Sequence, residues 1–151
     1  MFTAVRYFVK TSFVFLLTGI LSGFFMMLSR RIFNLGYGPG MLSAHTHIIL
    51  VGFMLMLIMG IAVWFFPKAG KEDDRYSPSK IKLVYWFMLI GTSLRFIFEV
   101  IDSYITLIYL DYIIVSTSLV QVSAIIVYAY TMWNRIRPIG SQIREAKGEK
   151  F

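Results

Sequence analysis

Ser43-Ala-His-Thr-His-Ile-Ile-Leu-Val-Gly-Phe-Met-Leu-Met-Leu-Ile-Met-Gly-Ile-Ala-Val-Trp-Phe-Phe66 is the stretch that decides the fold. It holds no aspartate, glutamate, lysine or arginine, and Pro67 closes it. At 1.5 Å per residue it is long enough to cross ~30 Å of hydrocarbon as a single helix. Working outward, similar apolar blocks place spans at about residues 8–28, 43–66, 82–104 and 111–133. Across the 151 residues, 58% are hydrophobic and mean hydropathy is +0.70, too apolar for a soluble domain. The pattern predicts one domain, residues 1–151, that is all-α: an integral-membrane, antiparallel four-helix bundle in which short connections make sequential helices neighbours. No small-residue cleavage site followed by a polar mature chain trails the first block, so it is expected to be a permanent span.

Charge supplies the expected orientation. With four spans, the N-terminus, the middle connector and the C-terminus share one side. That side carries Arg6, Lys10, Lys68, Lys71, Arg75, Lys80, Lys82, Arg135, Arg137, Arg144, Lys147 and Lys150, whereas the opposite loops carry Arg30 and Arg31. The positive-inside rule then puts both termini in the cytoplasm and the start of the second span near the outer face. The net charge of +7 is thereby explained by topology and not by nucleic acid. Residues 134–151 form a basic cytoplasmic tail, expected on the membrane surface or without fixed structure. With no cysteine in the chain, disulfides, zinc–thiolate sites and iron–sulfur clusters are excluded.

His45 and His47 are the only histidines. An imidazole close to lipid is costly unless it is bonded, and ionisable groups within spans are functional candidates. Successive helical residues advance about 100°, so the two rings project roughly 200° apart. They cannot readily chelate one ion, but they can serve two partners on opposite sides of the helix, or simply bond carbonyls, headgroups or water. Ser43 reads as the N-cap of this helix. Gly19 and Gly23 in the first span permit close helix approach. Arg95 and Glu99, spaced i, i+4, can neutralise each other inside the bundle or hold an anionic group. Gln121 is expected to bond a neighbouring helix, and Tyr128, Tyr130 and Trp133 to anchor the interface. Met26, Met27 and Met41 lie toward the histidine end and are expected chiefly to pack.

The second span resembles the tenth helix of the catalytic subunit of heme-copper oxidases. The resemblance rests on Ala44-His-Thr-His-Ile-Ile-Leu-Val-Gly52, on Gly60 and on Trp64-Phe-Phe-Pro-Lys68. It implies that His45 ligates a high-spin heme and His47 a low-spin heme on the opposite face. A rival alignment, with the second helix of nitric oxide reductases and C-type oxidases, makes His45 the low-spin ligand and puts His47 where that family has asparagine. The chain is also similar to small four-span proteins related to oxidase subunit I and to the NnrS family of heme- and copper-containing membrane proteins.

The resemblance implies a heme b-binding protein of a bacterial or archaeal cytoplasmic membrane, acting in respiratory electron transfer or in binding O2 or NO. His45 and His47 would be the metal ligands, Arg95 would hold a heme propionate, and Glu99 would orient Arg95. The oxidase centre needs further copper-ligating histidines that this chain lacks, so no catalytic residue is assigned and a stand-alone oxidase is not expected. A homodimer or a larger respiratory complex would supply the second axial ligand, unless Met26, Met27 or Met41 does so. Two other readings stay open. One is a cofactor-free accessory or assembly subunit of a respiratory complex; the other is copper handling by His45, His47 and Met41.

Overall fold

The computed structural model describes residues 3–67, 69, 73–105, 107–137, 140, 143 and 147–148. Within these the chain is helical: α1 (Thr3–Arg31), α2 (Pro39–His47), a π-helical stretch (Ile48–Leu55), α3 (Met56–Phe65), α4 (Pro78–Asp102) and α5 (Ile108–Met132), closed by a 3₁₀ turn at Trp133–Arg135. The pieces from Pro39 to Phe65 run on as one span, so four helices are long and apolar enough to cross a membrane. The chain is a multi-pass membrane bundle. Lys68 and Lys71, and in the tail residues 138–139, 141–142, 144–146 and 149–151, fall outside the described residues.

Local chemistry sets the helix ends. The second span starts at Pro39, whose fixed φ and missing N–H suit the first helical position, after an extended Gly38. Ser43, expected as the N-cap, therefore lies one turn inside the helix. Gly40 is required by close approach: a Cβ there would run into the backbone carbonyl of Glu99 and the side chain of Ser103. The absence of a side chain lets the start of α2 ride directly on the last turn of α4. At the start of α4, Ser77 is the N-cap, its hydroxyl accepting from the Ser79 N–H at 3.3 Å, and Pro78 takes the first helical position. Asn34 adopts φ 51°, a left-handed geometry that asparagine tolerates, in the turn that follows α1.

All four spans contribute to the core, α5 through Ala124 and Met132. Phe8 of α1, Met56 and Met59 of α3, and Ile81, Val84 and Met88 of α4 are buried together. Tyr85 ties α4 to α1 through an edge-on contact with Phe8 (centroids 5.3 Å apart) and a 2.9 Å hydrogen bond with Thr11. The last span, α5, packs along α4 and reaches the second span near its own C-terminal end. There the Tyr128 hydroxyl donates to the Met59 carbonyl at 2.8 Å. Tyr128, expected from sequence at the interface, is half-buried and makes this bond between helices. Apolar side chains on the outward faces, such as Leu17, Leu21, Ile58 and Ile126, are exposed, as contact with lipid tails requires.

Candidate functional site

Both histidines lie in the last turn of α2, and they turn to different neighbours. His45 faces α1. Its Nδ1 is 3.0 Å from the Gly19 carbonyl oxygen and 3.1 Å from Ser22 Oγ, while the Ser22 hydroxyl itself donates to that carbonyl at 2.8 Å. His47 faces α4. Its Nδ1 lies 2.9 Å from the Ser43 carbonyl, one turn back in its own helix, and 3.2 Å from Ser43 Oγ. A carbonyl only accepts, so each Nδ1 carries the proton and donates. Each Nε2 is left with a lone pair, and neither has a hydrogen-bond partner among the described residues. Each ring is thus fixed through one nitrogen and keeps the other uncommitted.

Immediately after His47 the helix opens into the eight-residue π stretch, Ile48–Leu55. Wide turns of this kind concentrate at functional sites, because they shift the register of one helix face against the rest. Nothing in the apolar run Ile48–Leu55 announces it by composition.

On the α1 side the ring of His45 lies over Gly23. A Cβ at Gly23 would stand 2.8 Å from His45 Cε1, so the imidazole occupies the room that a side chain would need. Gly19 packs on Ile48 and Ile49. The expectation of close helix approach at these glycines therefore holds, with the histidine itself as the packing partner of Gly23. Beside His45 opens a cleft of about 290 Å³, lined also by Met26, Met27, Tyr37, Leu42, Arg30 and Arg31. Neither arginine has an ion-pair or hydrogen-bond partner among the described residues.

Arg95 and Glu99 belong to the other histidine. Glu99 is buried, and its Oε1 accepts from Ser43 Oγ at 2.9 Å and from Arg95 Nε at 2.9 Å, with His47 Nδ1 3.7 Å away. Arg95 Nη1 donates to Gln121 Oε1 at 3.3 Å, and Gln121 Nε2 donates to Thr92 Oγ1 at 2.9 Å. A polar chain thus runs from α2 through α4 to α5, and Gln121 does bond a neighbouring helix as its sequence context suggested. Glu99 Oε2 is buried with no partner in this network. The i, i+4 ion pair expected from spacing is present. The expected propionate role of Arg95 finds less room, because two of its nitrogens are already committed within the bundle.

Sequence reasoning missed Ser43 as the link between His47 and Glu99, and it missed Arg30 and Arg31 as the unpaired cations beside His45. The i, i+4 spacing of Ser43 and His47 was the available signal for the first. Met41 and Met26 are buried and Met27 is exposed, and both Met26 and Met27 line the cleft. Among the described residues no three of histidine, cysteine, aspartate and glutamate gather where they could hold one metal ion. A metal here would have to come within a prosthetic group or be shared with a partner. No protein-family model, curated protein or solved structure matches the chain.

Proposed function

We propose that this chain is a heme b-binding membrane protein, acting in respiratory electron transfer or in the binding of O2 or NO, with His45 and His47 as axial ligands. One observation carries the reading: both imidazoles are anchored through Nδ1–H to backbone carbonyls, which fixes tautomer and orientation and keeps the Nε2 lone pairs available for iron. The His45 side offers what a heme needs besides a ligand. Gly23 gives the His45 ring its place, Met26, Met27 and Leu42 give apolar wall, and Arg30 and Arg31 are cations that could meet propionate carboxylates. A cleft of about 290 Å³ is at the lower limit of the ~300–1,000 Å³ usual for small-molecule sites. The opposite wall and the second axial ligand on this reading come from a partner, either a second copy related by a two-fold axis or a subunit of a respiratory complex.

Bound there, heme supplies one-electron redox chemistry and, where an axial position is open, a place for a diatomic gas. On this reading the membrane is a bacterial or archaeal cytoplasmic membrane, with both termini in the cytoplasm and the histidines near the outer face, a sidedness that the distribution of lysine and arginine supports.

Hemin titration into the purified, detergent-solubilised protein tests this. Wild type should give a saturable Soret shift; His45→Ala and His47→Ala should each lose part of it, and the double variant all of it. A wild-type protein that binds no hemin yet co-purifies with a respiratory complex would overturn the reading in favour of a cofactor-free accessory subunit.

A further inference from the structure

We propose that Glu99 is a positioning residue for His47, acting through Ser43, and that it makes the two histidines electronically unequal. The inference rests on the heme reading above. His45 is backed only by neutral groups, the Gly19 carbonyl and the Ser22 hydroxyl. His47 Nδ1 likewise meets a neutral carbonyl, that of Ser43 at 2.9 Å, but it has a carboxylate behind it as well: Ser43 Oγ stands 3.2 Å from the same Nδ1 and donates its own proton to Glu99 Oε1 at 2.9 Å. Because that hydroxyl proton is spent on Glu99, the Ser43 oxygen faces His47 as an acceptor, and negative charge is relayed toward the Nδ1–H. A ligand imidazole whose far N–H meets a carboxylate becomes a stronger donor at its other nitrogen, and the oxidised metal is favoured. The carboxylate is buried, so solvent screens it little.

Arg95 bonds the same Oε1 at 2.9 Å and balances the charge. This gives the two partners opposite signs. Removing the charge of Glu99 leaves the cation uncompensated near His47, whereas removing Arg95 leaves the anion uncompensated. The pair Glu99–Arg95 therefore sets the reduction potential of the His47 site, whereas the hydrogen-bond partners of His45 are all neutral.

The test is spectroelectrochemical titration of the full-length protein loaded with heme b, in a His45→Ala background so that only the His47 site reports. Glu99→Gln should raise the midpoint potential, Ser43→Ala should raise it less, and Arg95→Gln should lower it. In a His47→Ala background none of the three should move it. Glu99→Gln and Arg95→Gln shifting in the same direction, no shift in either, or an equal response at His45 would overturn the proposal. Should Glu99→Gln fail to fold, Ser43→Ala decides by itself, an unchanged potential counting against the relay. If no variant takes up heme, the heme reading falls separately. The relay is then read in the heme-free protein by ¹⁵N NMR of the imidazoles. Ser43→Ala must alter the His47 signals and leave those of His45 in place, and an unaltered His47 overturns the inference.

Discussion

At the scale of single residues, the clearest constraint is Gly23. The sequence marked it as a site of close helix approach, but only the structure shows that the close neighbour is the His45 ring. Gly23→Val should push that ring aside and weaken heme binding at His45 about 10–100-fold, the range found when the surroundings of a metal-binding residue are disturbed. Helix content by circular dichroism should stay unchanged. Equal hemin affinity in wild type and Gly23→Val would show that the ring position does not matter. Arg135 teaches the opposite lesson. By sequence it is one of several basic residues after the last span, yet it is 2% exposed. Its guanidinium donates to the carbonyls of Val63 and Phe66 at 2.9 Å and of Pro67 at 2.8 Å, and it lies 4.5 Å from the centre of the Tyr76 ring. It therefore satisfies the C-terminal carbonyls of α3, which the helix leaves without partners. Arg135→Ala should cost about 2–4 kcal/mol, read as a lowered thermal midpoint in detergent, with Arg135→Lys in between. An unchanged midpoint in Arg135→Ala would refute the cap. Spacing could not reveal this role, because the bonds join residues about seventy positions apart.

At the scale of elements, the number and type of helices were legible because bilayer thickness dictates the length of an apolar run. Boundaries were less so. The second span begins at Pro39 and not Ser43, and α4 begins at Pro78 behind the Ser77 cap and not at Lys82. Proline, glycine and capping chemistry decide such ends, and hydropathy does not. The π stretch Ile48–Leu55 was invisible, since its composition suits an α-helix equally well. Its effect is testable by deleting Leu50, an exposed residue within it. One residue fewer would tighten the stretch toward α-helix and remove the wide turn that directly follows His47. Helicity and membrane insertion should persist while heme uptake falls. Undiminished uptake in the deletion variant would show that the π geometry does not orient the site. The Glu99–Arg95–Gln121 chain belongs to the same scale: its i, i+4 pair could be read from spacing, but its reach to Ser43 and Gln121 depends on how α2, α4 and α5 meet.

At the scale of the molecule, all four spans contribute to the core, α5 through Ala124 and Met132 as it packs along α4, and broad apolar faces are left toward lipid or a partner. The orientation proposed from charge can be checked directly, because the sequence contains no cysteine. A cysteine placed at Gly36 should react with an impermeant thiol reagent from the outer side, and one placed at Thr3 only after the membrane is opened. The reverse pattern would invert the topology and move both histidines to the cytoplasmic face. The most direct measurement is the reduced-minus-oxidised visible spectrum of full-length protein purified from heme-replete cells, beside His45→Ala, His47→Ala and the double variant. Two histidine-ligated sites predict a b-type spectrum that weakens in each single variant and vanishes in the double one. A colourless wild type, or a spectrum that survives loss of both histidines, would contradict it.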